Sequence, residues 1–152
     1  MVTSVYLSLG SNLGDRAKNL RRAVEALSAL PDTRVAAQSS IHETAPWGVT
    51  EQPSFLNLAA EIETAFGPLE LLNAVKAVEV RLGRTPGPHW GPRVVDIDLV
   101  LWQDLVMETE ALTLPHPRFR ERAFVLLPLR EIAPDVVDPV TGRTVAELAA
   151  AL

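Results

Sequence analysis

The chain has 152 residues, of which 47% are hydrophobic, with a formal net charge of −5 and a mean hydropathy of +0.14. That length and composition fit one domain with a buried core and exclude a disordered chain. The acidic balance argues against a general nucleic-acid binder, the lack of cysteine excludes disulfides, zinc–thiolate centres and thiol nucleophiles, and no apolar run reaches the ~20 residues of a membrane span. The N-terminus enters a strand pattern with no basic region or cleavage site. A single domain over residues 1–152, monomeric and cytoplasmic, is the expectation.

Val5, Leu7 and Leu9 alternate with Tyr6 and Ser8, which predicts a strand ending at Gly10. Gly-Ser-Asn-Leu-Gly-Asp at 10–15 reads as a turn, with Asp15 the N-cap of a helix. Leu20, Ala23, Val24, Leu27 and Leu30 mark that helix's apolar stripe, and Pro31 stops it. A glycine-rich turn between strand and helix invites a phosphate-loop reading. This one lacks both the Lys-Ser/Thr ending of a Walker loop and the dinucleotide glycine spacing, so a structural turn is the better account.

Residues 34–44 predict a second strand, followed by an irregular loop at 45–53 that holds Pro46 and Trp47. A loop tryptophan either caps a small cluster or contacts a ligand. In a third strand over 55–63, Leu56, Leu58, Ala60 and Ile62 share one face, and Phe55 and Asn57 share the other. A ring beside an amide suits a flat heterocycle, since the ring stacks and the amide reads an edge. A core phenylalanine beside an edge asparagine is the plainer alternative. A helix over 68–82 buries Leu71, Val75, Val78 and Leu82, sets Lys76 and Glu79 three apart as surface neighbours, and closes at Gly83. A Pro/Gly loop then leads into Trp90.

The richest stretch follows. From Val94 onward the chain reads as a buried strand, with Val95, Ile97, Leu99 and Leu101 on one face and Val94, Asp96, Asp98 and Val100 on the other. Two carboxylates on one half-buried face repel each other unless positive charge lies between them. Mg²⁺ held by one or two carboxylates and substrate phosphates is the usual solution, and a solvated face is the ordinary alternative. Downstream, His116 precedes Arg118, Arg120 and Arg122. Three alternating arginines can rim a surface or clamp phosphates bidentately. A helix over 124–132, broken by Pro128, and a capping box at Thr144 and Glu147 complete the chain. The order β-α-β-β-α-β predicts an α+β, ferredoxin-like βαββαβ sandwich, an antiparallel sheet with helices on one side and a C-terminal helical and hairpin extension.

The segments YLSLGSNLGDR, HETAPWG, PSFLNLAAEIET, WGPRVVDIDLVLW and LPHPRFRERAFVLLPLREIAPD resemble, in order and spacing, the 6-hydroxymethyl-7,8-dihydropterin pyrophosphokinase family of folate biosynthesis. The resemblance implies an Mg²⁺-dependent transfer of pyrophosphate from ATP to the pterin hydroxymethyl group, with release of AMP. It implies that Asp96 and Asp98 hold two Mg²⁺ ions, and that Phe55 and Phe124 sandwich the pterin. It also implies that Asn57 reads the pterin edge, with Thr44, Pro46, Trp47 and Trp90 around it. Lys76, Glu79, Arg84, Arg93, Ile97, His116 and Arg122 correspond to the ATP side, with Arg84 and Arg93 engaging the phosphates during transfer. The loop over 84–90 departs from relatives in being proline-rich and one residue shorter than in some of them. Two other functions suit the same residues less well: a non-catalytic ligand-binding module and a metal-dependent phosphohydrolase.

Overall fold

A computed structural model describes residues 2–44, 54–83 and 94–152. Strand β1 (Thr3–Ser11) is followed by helix α1 (Arg16–Ser28), β2 (Thr33–Gln38), β3 (His42–Thr44), β4 (Phe55–Thr64), α2 (Pro68–Arg81) and β5 (Asp96–Trp102). A short hairpin of β6 (Met107–Glu108) and β7 (Thr113–Leu114), a 3₁₀ turn (Phe119–Glu121), α3 (Ala123–Ile132) and α4 (Val145–Ala150) complete the chain. The main sheet is antiparallel in the order β2-β4-β1-β5, with β3 also paired to β4. Among the described residues no helix is long and apolar enough to cross a membrane.

The first turn is held by its own side chains. Asp15 accepts from the backbone N–H of Lys18 and caps α1. Asn19, nearly buried, donates from Nδ2 to the carbonyl of Leu13 at 2.8 Å and to Ser11 Oγ at 3.3 Å. Gly14 takes φ +72° to complete the bend. The structural-turn expectation matches this arrangement, and β1 runs one residue past Gly10.

The expected strand over 34–44 is two strands, with residues 39–41 between them. The Ser39 side chain takes the place of a ladder partner there, its Oγ accepting from the N–H of Ala59 at 2.9 Å. Pro128 does not break α3 but lies buried within it. The helices also do not all lie on one side of the sheet. One face packs Val5, Leu7, Leu9, Ile97 and Leu99 against Leu20, Leu27, Leu71 and Val75 of α1 and α2. The opposite face packs Tyr6, Ala59, Val100 and Leu101 against Phe119, Leu126, Leu129 and Leu148 of the C-terminal elements.

Strand β5 departs from simple alternation. Leu7 pairs with Leu99 and Tyr6 with Leu101, so Val100 is an extra residue, a β-bulge. Val100 and Leu101 therefore both reach the second face, and Trp102 returns to the first. Leu101, expected beside Leu99, is displaced to the other side for this reason. The Val100 carbonyl accepts from the backbone N–H of His116 at 2.9 Å, which ties the C-terminal segment to the sheet.

Candidate active site

The second face of the sheet is only half covered. Where Tyr6, Ala59 and Val100 lie, α3 and α4 close over it. Toward the other end of the same strands the sheet opens into a cavity of about 740 Å³, within the usual size range of small-ligand pockets. Its floor is set by strand register. Gly10 on the central strand pairs with Asn57 on one side and Asp96 on the other. Two residues earlier, Ser8 pairs with Ala59 and Asp98. Period-two alternation thus puts Ser8, Gly10, Asn57, Asp96 and Asp98 on one surface.

At one end of the cavity are Phe55, Asn57, Thr44 and Phe124. Asn57 is 3% exposed and donates from Nδ2 to Thr44 Oγ1 at 2.8 Å, which fixes the amide's orientation and leaves its carbonyl oxygen on the Gly10 side. A Cβ at Gly10 would stand 2.9 Å from Asn57 Oδ1 and 3.4 Å from the Phe55 ring. Bare backbone is what lets ring and amide come together there.

The rest of the cavity carries opposite charges. Asp96 and Asp98, both half-buried, face a lining that includes Lys76, His116, Arg118 and Arg122. Glu79 is not the solvated neighbour of Lys76 that helix spacing suggests. It is 3% exposed, and Oε2 accepts from the backbone N–H of Ile97 at 2.7 Å. Among the described residues strand β5 has a sheet partner on one side only, so Glu79 satisfies an edge donor at the residue between the two aspartates.

His116 is held as the neutral imidazole. Burial and then the Arg122 guanidinium push it down to about 4, with Arg118 adding to the fall and Asp96 opposing it. Its Nδ1 accepts from the Arg118 N–H at 3.1 Å, which leaves the proton on Nε2. At neutral pH this side chain offers a hydrogen bond and no positive charge. Arg122 lies over the Phe124 ring, 5.5 Å from its centroid, and its Nε is buried with no hydrogen-bond partner among the described residues. A buried guanidinium donor without an acceptor is costly, and an anionic group entering the cavity would satisfy it.

The three alternating arginines separate. Arg118 and Arg122 line the cavity. Arg120 instead grips Asp138, with Nε to Oδ2 at 2.5 Å and Nη2 to Oδ1 at 2.9 Å. The intervening 3₁₀ turn has three residues per turn, so alternate positions do not share a face as they would on a strand.

Of the residues singled out in the sequence, Thr44, Phe55, Asn57, Lys76, Glu79, Asp96, Ile97, Asp98, His116, Arg122 and Phe124 all line this cavity. Pro46, Trp47, Arg84, Trp90 and Arg93, with the proline-rich loop over 84–90, lie outside the described residues. Sequence reading missed Ser8 and Gly10, and also Thr109, Glu110, Leu112 and Thr113 of the hairpin, which line it too. The signal for the first two was present: small residues alternate with large apolar ones in β1.

A cavity of this size, lined by paired carboxylates, cations and two aromatic rings on the open end of an antiparallel sheet, gives an α+β protein whose site has the chemistry for a phosphorylated ligand beside a flat one. The family model for 7,8-dihydro-6-hydroxymethylpterin-pyrophosphokinase (HPPK) matches residues 6–134, and the chain belongs to this family. It is 49% identical over 151 residues to the 2-amino-4-hydroxy-6-hydroxymethyldihydropteridine pyrophosphokinase of Methylorubrum extorquens, covering 99% of this chain and 94% of that one. Its likeness to the protein of the same name from Bacillus subtilis is 47% over 137 residues, covering 90% and 82%. Among solved structures, wild-type HPPK-DHPS of Plasmodium falciparum with pteroate superposes with a TM-score of 0.79 at 15% identity, covering 99% of this chain and 42% of that longer one. At that identity the likeness speaks to the fold alone.

Proposed function

We propose that the protein transfers pyrophosphate from ATP to the hydroxymethyl group of 6-hydroxymethyl-7,8-dihydropterin, giving the pterin diphosphate and AMP in folate biosynthesis. One observation carries the reading from the structure: a single cavity joins an aromatic and amide end to a carboxylate and arginine end. Neither end alone accounts for the other.

In this reading Phe55 and Phe124 stack the pterin and Asn57 reads its edge. Arg122, with its orphaned Nε, and His116, donating from Nε2, meet the triphosphate. Lys76 and Ile97 line the nucleotide side, and Glu79 fixes the strand segment from Asp96 to Asp98. Thr44 orients Asn57, and we assign Pro46, Trp47 and Trp90 to the pterin and Arg84 and Arg93 to the phosphates on the resemblance alone. The hydroxymethyl oxygen gives up its proton, released to water in the net reaction, and forms a bond to the β-phosphorus. In the same step the bond from that phosphorus to the oxygen shared with the α-phosphate breaks, and AMP leaves with that bond's electron pair. Such a transfer depends on positioning and charge neutralisation more than on covalent chemistry by the protein.

Among the described residues no group of three or more His, Cys, Asp or Glu side chains could hold a metal. Mg²⁺ needs no such group, because it binds through one or two carboxylates together with phosphate oxygens and water. Asp96 and Asp98, hard oxygen donors two apart on one strand face, fit that requirement, and we assign them to two Mg²⁺ ions. The chemistry supplied by Mg²⁺ held by these carboxylates would be neutralisation and alignment of the triphosphate.

The strand order β2-β4-β1-β5 with two crossover helices on one face supports the ferredoxin-like assignment. We take residues 1–152 as one monomeric domain working in the cytoplasm, where ATP is supplied.

The test combines the purified protein, ATP, Mg²⁺ and the pterin with resolution of the nucleotide products. AMP formed only when pterin is present is the expected result. ADP or free phosphate without pterin would establish a phosphohydrolase, and no turnover a binding module. Asp98→Ala is expected to abolish transfer with the circular dichroism spectrum unchanged.

A further inference from the structure

Arg16, the first residue of α1, makes contacts that the reaction described above does not use. Its Nη1 donates to the Ser54 carbonyl at 2.8 Å, to Ser54 Oγ at 3.1 Å and to Glu43 Oε2 at 3.3 Å. Ser54 Oγ in turn donates to the same Glu43 oxygen at 2.6 Å. The shortest of the arginine's bonds is to a backbone carbonyl, that of the peptide joining Ser54 to Phe55. Fixing that peptide fixes the backbone from which the Phe55 ring projects.

The same guanidinium reaches the end of β3. That strand has three residues and is paired, among the described residues, to β4 alone, and its last rung joins Thr44 to Phe55. So short a ladder is a weak restraint on its own. Arg16 is a firmer one, because α1 is capped by Asp15 and anchored in the core through Leu20 and Ala23. Its side chain is 29% exposed, so these bonds are partly shielded from water. An exposed ion pair of this kind contributes little through charge, and the backbone contact gives it positional value.

We propose that Arg16 is a positioning residue for the pterin end of the cavity: it clamps the Ser54–Phe55 peptide and the Glu43–Thr44 end of β3, and so sets the Phe55 ring against the Asn57 amide that Thr44 orients. The inference rests on the pterin reading of Phe55 and Asn57.

The experiment measures KM for the pterin at saturating ATP, KM for ATP at saturating pterin, and kcat, in the full chain and in Arg16→Ala, Arg16→Lys and Phe55→Ala. Arg16→Ala is expected to raise the pterin KM about fivefold to tenfold, with the ATP KM and kcat within about twofold. Arg16→Lys falls between, since an ammonium cannot span the acceptors as a planar fork does. An unchanged pterin KM, or an equal rise in both KM values, overturns the proposal. Phe55→Ala separates the two layers. If it leaves the pterin KM unchanged, the pterin reading fails; if it raises it while Arg16→Ala does not, only the positioning role fails. Should Arg16→Ala not fold, Glu43→Ala combined with Ser54→Ala keeps the arginine and removes its two side-chain acceptors. A selective rise in the pterin KM is expected there too, and its absence counts against the proposal.

Discussion

Gly10 shows how much one missing side chain can decide. It sits in the central strand between Asn57 and Asp96, so it separates the two ends of the cavity. Adding a methyl group there meets Asn57 Oδ1 at 2.9 Å and the Phe55 ring at 3.4 Å, and the amide cannot retreat freely because Thr44 holds it. Overpacking of this kind costs about 1–3 kcal/mol. Since about 1.4 kcal/mol is tenfold in affinity, Gly10→Ala is expected to raise the pterin KM about tenfold and leave the ATP KM close to its natural value, as steady-state kinetics with each substrate varied would show. Arg122 and His116 make a complementary point. One carries a buried donor with no acceptor among the described residues; the other is kept neutral by burial and its cationic neighbours, so positive charge in the cavity comes from lysine and arginine.

Among elements, β5 is where support and chemistry meet. Its edge N–H at Ile97 is satisfied by Glu79 from α2, so helix and strand are joined at the residue between the two aspartates. Glu79→Leu would leave that N–H buried without this acceptor, and a loss of about 1–3 kcal/mol is expected in chemical denaturation, whereas Glu79→Gln keeps an oxygen in place and loses less. The sequence made the two aspartates, the phenylalanine–asparagine pair and most helices legible, because period and motif are local properties. Glu79 looked like a surface partner of Lys76, since spacing on a helix shows neighbours but not which face another element covers. Arg120 looked equivalent to Arg118 and Arg122. Only the 3₁₀ turn and a carboxylate eighteen residues later, Asp138, with a side chain wholly buried, assign it to the scaffold. Gly10 was readable as the end of a strand but not as the floor of a cavity, because that depends on which strands flank it.

At the scale of the whole molecule, the C-terminal elements turn an open sheet into one covered on both sides, and the cavity is the part of the second face they leave bare. Helix α3 is fastened to the sheet's rim through Glu131, which accepts from the Ser40 N–H at 2.9 Å and the Ser40 hydroxyl at 2.7 Å and is paired with His42. The Ser40 hydroxyl first, then its N–H and His42, hold the Glu131 carboxyl down to about 2, from an ordinary 4.5. A carboxyl with a depressed folded pKa stabilises the fold above its unfolded value and loses that contribution as pH falls through the folded one. Part of the stability is therefore expected to disappear between pH 4.5 and 2, and Glu131→Gln to flatten that stretch of the curve in denaturant titrations taken at successive pH values. The bulge at Val100 has a consequence of another kind. Counting back from Trp102, whose side chain lies in the α1–α2 core, strict alternation would send positions 98 and 96 into that same core. The one extra residue reverses the parity, so the carboxylates emerge on the open side. Strand β5 thus encodes its chemistry in its length as well as its letters: losing Val100 alone would keep both aspartates in the chain and turn them toward the α1–α2 core.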